Sequence, residues 1–242
     1  WLADVQPDVL CMQETKLADD AFPALTFAAL GYESAHHGQG QWNGVAILSK
    51  VGLTDVVANF ADGGEPDPDA RIITAVCGGV RISSVYVPNG RSLDHEHYQY
   101  KLRWMAQLRA HVAALSSPDE QVVVTGDFND FQFADTLAPL AAAGLTNMTN
   151  TLAANERYTY AYEGNLQALD HVWVSSNLLN NGGALYDIVH ANAEFITQVS
   201  DHDPILLTLG GMPAPVPEPA TLLSMLGGLA VLARTLRRRR VH

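Results

Sequence analysis

Two cysteines in 242 residues cannot build a disulfide framework. Cys11 and Cys77 each lie in an apolar run, which marks them as core thiols. No group of Cys and His gathers at metal-ligand spacing, and His95, His97 and His111 read as surface side chains. Positive charge is scarce too: 14 Lys and Arg stand against 26 Asp and Glu, a formal net charge of −12. Residues 1–211 carry 9 basic and 25 acidic side chains, whereas residues 212–242 carry five Arg and one Glu. An acidic body is a poor electrostatic collector of nucleic acid. A role on a polyanion must therefore rest on a bound cation and a few local basic groups. No internal repeat is evident, and the chain opens on Trp1 rather than Met. What is present is apolar material: 48% of residues are hydrophobic, enough for one large or two small domains.

Residues 121–130 organise the rest. Val122, Val123 and Val124 form an apolar run without polar alternation, the pattern of a strand buried on both faces. Gly126 breaks the run, and Asp127 and Asn129 follow. Residues two apart in an extended segment share a face, so this carboxylate and amide can enter one cavity at the strand's C-terminal end. A charged acceptor beside a group that both donates and accepts suits holding a water against a phosphoryl centre. A polar turn leading into the next helix would use the same residue types.

Residues 1–5 read as the end of a helix and residues 7–16 as a strand with a polar end. Glu14 stands at that end, either as a hard-oxygen ligand for Mg²⁺ or Mn²⁺ or as a solvated side chain. A short helix at 22–30 closes at Gly31, and strands at 32–36 and 44–48 flank a Gly-rich turn. Residues 62–69 form an acidic loop. Strands at 71–76 and 80–87 make a hairpin about Gly78 and Gly79. Pro88 and Gly90 stop the second strand, leaving Tyr86, Asn89 and Arg91 at its end. The strongest helix covers 97–115, where Tyr98, Leu102, Met105, Arg109, Val112 and Leu115 form a stripe widened by Leu108. Then come a helix at 136–143, strands at 158–162, 168–174 and 190–195, a turn at 200–204 and a strand at 205–209. Acids flank His202 and favour its charged form at close range.

Five motifs therefore occur in order: Gln13-Glu14-Thr15; Tyr86 with Pro88 and Asn89; Gly126-Asp127-Phe128-Asn129; Leu169-Asp170-His171; and Ser200-Asp201-His202. Together they resemble the endonuclease/exonuclease/phosphatase superfamily. Residues 5–115 are similar to exodeoxyribonuclease III, and residues 121–209 to secreted bacterial extracellular nucleases. The long DNA-contacting insertion of exodeoxyribonuclease III after its Gly-Asp-x-Asn motif is not visible. The resemblance implies an α+β fold, a four-layer α/β/β/α sandwich of two mixed, mostly antiparallel sheets. It also implies that the family's opening strand, which carries a catalytic Asn, lies ahead of Trp1 and is missing from this chain. Glu14 would be the principal metal ligand, for Mg²⁺ or Mn²⁺, with Asp201 helping the metal or the histidine. Asp127 would position or deprotonate the attacking water and Asn129 would orient it. His202 would contact the scissile phosphate, held by Asp170, and Tyr86 would stabilise developing charge. Arg71, Asn89 and Arg91 would touch flanking phosphate or sugar.

Residues 212–219 form a Pro-rich linker. Residues 220–233 are an apolar stretch of 14 positions, shorter than the about 20 that cross a bilayer. Arg237, Arg238, Arg239 and Arg240 follow as a cytoplasmic flank. Pro217-Glu218-Pro219, apolar helix and Arg cluster resemble the PEP-CTERM sorting signal. That implies export, transient membrane insertion and cleavage by an exosortase, where a plain anchor would stay attached. The expectation is a catalytic domain at 1–211 and a sorting tail at 220–242. Its function would be that of an exported, monomeric, metal-dependent phosphodiesterase, a DNase in first place. A phosphatase or phospholipid-headgroup phosphodiesterase of the same fold is the enzymatic alternative. A non-catalytic surface-displayed binding module is the other.

Overall fold

The structure, a computed structural model, describes residues 2–117, 119–181 and 183–210. Three early strands, β1 (Val9–Gln13), β2 (Glu33–His37) and β3 (Val45–Ser49), pair antiparallel in the order β1-β3-β2. Then come β4 (Thr54–Ala58), β5 (Ile72–Cys77), β6 (Val80–Tyr86), β7 (Gln121–Asp127) and β8 (Leu145–Asn147). A small hairpin of β9 (Tyr160–Tyr162) and β10 (Asn165–Gln167) precedes β11 (Asp170–Ser175). The antiparallel pair β12 (Ala184–Ile188) and β13 (Ile205–Leu209) ends the described chain. The helices are α1 (Leu2–Val5), α2 (Ala24–Ala29), α3 (Glu96–Leu115), α4 (Ala138–Ala142) and α5 (Ser176–Asn181).

The larger sheet runs β4-β5-β6-β7-β11-β8. Its one parallel pair is β6 with β7, because a strand returns parallel only through a long crossover, here α3. Strand alternation makes both faces of this sheet apolar. Ile73, Val123 and Val172 join Val45, Ile47 and Ile188 in a core shared with the smaller strands. Their neighbours Ile72, Val122, Val124 and Trp173 pack the other way, against Trp104, Met105 and Leu108 of α3 and Leu140 of α4. With α2 beside β2, the layers stack as the α/β/β/α sandwich of an α+β protein. Among the described residues, β1 is hydrogen-bonded to a strand only through β3, and β13 only through β12.

Several expectations need correction. The buried side of α3 consists of Lys101, Trp104, Met105, Leu108, His111 and Val112, while Leu102 is exposed. A stripe drawn from apolar letters is rotated because Lys101 and His111 are buried with partners. The His111 ring accepts from the Ala61 N–H at 2.9 Å and bonds the Thr74 hydroxyl at 2.8 Å, so it is no surface histidine. Burial pushes it down to about 4. His95 and His97 are half-buried rather than fully exposed, and Cys11 is half-buried where Cys77 is buried. Residues 190–195 form no strand. The N–H groups of Ala191, Asn192 and Ala193 all turn to one carboxylate oxygen of Asp203, at 2.7–3.0 Å, instead of to a ladder. The strands β4, β8, β10 and β12 were not foreseen. Each lies at a sheet edge, where one neighbour is enough. Residues 212–219 and the tail lie outside the described residues, none of whose helices is long and apolar enough to cross a membrane.

Candidate active site

Sheet register builds the site. Tyr86 at the end of β6 is opposite Asp127 at the end of β7, and Asp127 is opposite Asp170 at the start of β11. Three adjacent strands thus deliver three polar side chains in one row. Gly126 lets the row form: its φ is +141°, and a Cβ there would lie 2.0 Å from the carbonyl oxygen of Val85.

Asp127 and Asp170 are both buried. The first oxygen of Asp127 accepts from the Asn129 N–H at 2.7 Å and the second from the Asn129 side-chain amide at 3.1 Å. That amide also donates to the Val87 carbonyl at 3.0 Å, and its oxygen accepts from Asn89 at 3.1 Å. Burial, reinforced by Asp170, pushes the Asp127 carboxyl up to about 7, with His202 and the Asn129 N–H pulling the other way. Nδ1 of His202 bonds the Asp170 carboxylate at 2.6 Å. Burial disfavours protonation of that ring, but Asp170, then Asp127 and Asp201, outweigh it and raise it to about 9. The ring lies 4.8 Å from that of Tyr160.

Across the opening, the phenol of Tyr86 donates to Glu14 at 2.6 Å, and Lys16 holds the other carboxylate oxygen at 2.6 Å. Burial alone would raise the Glu14 carboxyl; Lys16 and Tyr86 together overcome it and hold the group below the ordinary range. Burial and Glu14 push the Tyr86 phenol far above its usual value, so it stays a donor. Asp201 is exposed, close enough to add to Glu14 in stabilising the Lys16 ammonium.

The structure therefore brings together Glu14, Tyr86, Asn89, Asp127, Asn129, Asp170 and His202. Arg71 supports the site from behind. It pairs with Asp69 at 3.0 Å, donates to the Tyr86 carbonyl at 3.2 Å and lies 4.9 Å from the Tyr86 ring centre. Arg91 is exposed and turned toward His95 at 3.4 Å.

Sequence reasoning missed the supports. Thr159 accepts from the N–H groups of Leu169 and Asp170, both at 3.2 Å, and so sets the start of β11. Asp203 gathers the 191–193 backbone, and Asn192 donates to the His202 carbonyl at 2.9 Å. Buried His171 bonds the Asp130 carbonyl at 2.9 Å. The acids flanking His202 could have flagged Asp203, whereas nothing local marks Thr159.

Among the described residues no three His, Cys, Asp or Glu side chains make a ready metal cage. Mg²⁺, however, is commonly held by one or two carboxylates, with water and substrate phosphate completing its shell. Glu14 is ionised and partly solvated, and an ion there would take the place of the exposed Lys16 ammonium, which Asp201 also faces.

A buried acid, a protonated imidazole and an ionised carboxylate around one opening define a hydrolytic site for a charged ester. Residues 1–202 match the Endonuclease/Exonuclease/phosphatase family, and the chain belongs to that family. Residues 215–240 match the PEP-CTERM protein-sorting motif. Over 129 residues the chain is 34% identical to exodeoxyribonuclease III of Haemophilus influenzae, covering 51% of this chain and 48% of that protein. It is 26% identical to the DNA repair nuclease APEX1 of Danio rerio over 236 residues, covering 86% of this chain and 75% of that protein. Among solved structures, a 3′ phosphatase, NExo, from Neisseria bound to product DNA hairpin superposes with a TM-score of 0.76 at 28% identity, covering 87% of this chain and 91% of that one. An AP endonuclease from Archaeoglobus fulgidus gives 0.76 at 27% identity, covering 86% and 91%.

Proposed function

We propose that this protein is an exported, divalent-cation-dependent phosphodiesterase that hydrolyses nucleic acid, DNA before other substrates. The row Tyr86, Asp127 and Asp170, with His202 bonded to Asp170, carries the reading. Asp127 accepts a proton from the attacking water near neutral pH, and Asn129 orients that water. His202, held protonated by Asp170, donates to a non-bridging phosphate oxygen and stabilises charge in the in-line transition state. The Tyr86 hydroxyl, whose one proton goes to Glu14 in this structure, would turn to the developing charge as a second donor only by leaving that bond. Glu14 and Asp201 would hold a Mg²⁺ or Mn²⁺ ion, and such an ion would supply charge neutralisation at the phosphoryl group. Asn89 and Arg91 meet flanking phosphate or sugar, and Arg71 keeps Tyr86 in place. One chain supplies every one of these side chains, so a monomer suffices.

The names of exodeoxyribonuclease III and of the DNA repair nuclease, and the DNA hairpin bound by the Neisseria neighbour, support nucleic acid over phospholipid. A phosphatase acting on a terminal phosphate remains the second reading. It is favoured by the acidic body and by the Neisseria neighbour. The arrangement of the site argues against a purely structural module. We assign residues 1–211 to the catalytic domain, 212–219 to a linker and 220–242 to a sorting tail.

The test is cleavage of supercoiled plasmid with Mg²⁺ or Mn²⁺, abolished by EDTA; equal cleavage in chelator rejects the metal assignment. For the tail, mass spectrometry of mature protein from the native host should find a C-terminus at or near Pro217, Glu218 or Pro219. A mature chain still ending at His242 in the cytoplasm rejects sorting and export together.

A further inference from the structure

Lys101 is the one Lys of α3, and it is buried to 1% exposure. Lysine is almost never enclosed unless its charge is matched. Its Nζ donates to the Phe128 carbonyl at 2.9 Å and the Asn129 carbonyl at 2.7 Å, and pairs with Asp130 at 3.1 Å. Three acceptors at bonding distance require three donors, so the group is the ammonium and is fully satisfied. All three acceptors belong to the turn that directly follows Asp127.

The turn needs such an anchor. Asn129 sits at φ +48°, a left-handed conformation uncommon for a residue with a side chain. In it, the Asn129 N–H and side-chain amide reach the two oxygens of Asp127. The carbonyls of Phe128 and Asn129 meanwhile turn inward, where without Lys101 they would face a buried space with no donor. The Lys101 stem also supports the neighbouring loop. A Cβ on Gly90 would meet Tyr98 Cδ2 at 3.0 Å and Lys101 Cδ at 3.4 Å, so glycine there lets the loop of Asn89 lie close against α3, mainly at Tyr98. Asn89 in turn donates to Asn129.

We infer that Lys101 is a positioning residue, a buried ammonium that locks the turn at 128–130 so that Asp127 and Asn129 hold one geometry toward the attacking water. The inference rests on the phosphodiesterase reading of the site. It adds the element, α3, that transmits the helix layer's rigidity to the chemistry.

Lys101→Met alone leaves Asp130 without its cation in the interior and endangers the fold. Lys101→Met with Asp130→Asn removes both charges, keeps a carbonyl oxygen for the Phe131 N–H and an amide N–H from which the Thr136 hydroxyl can accept, and leaves only the two carbonyls unheld. The full chain carrying the pair should still melt cooperatively, some degrees below the parent because two buried carbonyls lose their donor, with a KM on a short DNA substrate within about threefold. Its kcat should fall about 100-fold, the scale of a small misplacement of catalytic groups. Amide hydrogen exchange at Phe128, Asn129 and Asp130 should quicken while the β7 interior keeps its protection. A kcat within about threefold of the parent, with unchanged exchange in this turn, overturns the inference. A KM rise that accounts for all of the lost kcat/KM also overturns it, since a locked turn acts on turnover. If the parent cleaves nothing, the phosphodiesterase reading falls. The anchoring of the turn then stands or falls on the exchange measurement alone.

Discussion

Glu14 and Asp127 are both carboxylates on the same opening, and their surroundings drive them apart. Glu14 stands at the edge of the smaller strands, side chain 41% exposed, between a lysine and a phenol that both favour its anion. Asp127 stands in the middle of the larger sheet, enclosed, next to another carboxylate. The first is held below the ordinary range and the second is raised to about 7. A depressed, half-solvated carboxylate is an anion at any working pH and suits a cation. A raised, buried one exchanges its proton near neutrality and suits a base. Residue type did not divide these roles; burial and the sign of the nearest charge did.

Substitutions can break this contrast, beginning with its buried half. Asp127→Asn keeps the shape and removes the base, so turnover should drop about 10,000-fold while the melting temperature holds or rises. Retention of a tenth of the activity would show that another group takes the proton. His202→Ala and Asp170→Asn should each cost about 1,000-fold, and the two together little more than His202→Ala alone, because they act as one unit. Losses that multiply in the double variant would deny the pair seen at 2.6 Å.

Glu14→Gln probes the exposed half. A fall of about 100-fold is expected, recovered in part by raising Mg²⁺ or Mn²⁺, because the lost group is a ligand rather than a base. A defect of the same size at every metal concentration would move Glu14 out of the metal site. The pH profile joins the halves. Activity should climb about tenfold per pH unit up to about 7, as Asp127 loses its proton, and fall past about 9, as His202 loses its own. In Asp127→Asn the acid limb should vanish while the alkaline limb stays. The smallest effect belongs to Lys16→Met. Its ammonium is more than half exposed, and Glu14 keeps Tyr86 as a donor, so turnover at neutral pH should change by less than about threefold.

Much of this site can be read from sequence because strands deliver chemistry by parity and position. Asp127 and Asn129 lie two apart after an apolar run, and Glu14, Tyr86 and Asp170 each sit at a strand end. Short-range spacing therefore places them at a sheet margin before any fold is known. The supports could not be read this way. Lys101 is one of several charged residues on a helix, and its letter says solvent. Only the meeting of α3 with the β7 turn turns it into a buried donor to two carbonyls. Residues 190–195 alternate polar and apolar side chains as a strand would, yet one carboxylate 10 to 12 residues away, Asp203, takes the N–H groups of Ala191, Asn192 and Ala193 out of any ladder.

By itself the sequence determined the order of the five motifs, the double-faced apolar strands, the acidic body and the basic, apolar tail. These depend on local composition and on the two-residue period of a strand, which survive without long-range contacts. Only the tertiary structure decided that Tyr86, Asp127 and Asp170 share a row and that Arg71 braces Tyr86, and it brought His202 to 2.6 Å from Asp170, the partner that the family resemblance implied. Only it separated the proton affinities of Glu14 and Asp127. A carboxylate's affinity for its proton depends on the water it loses and the charges brought beside it, and both arise only when distant segments pack together.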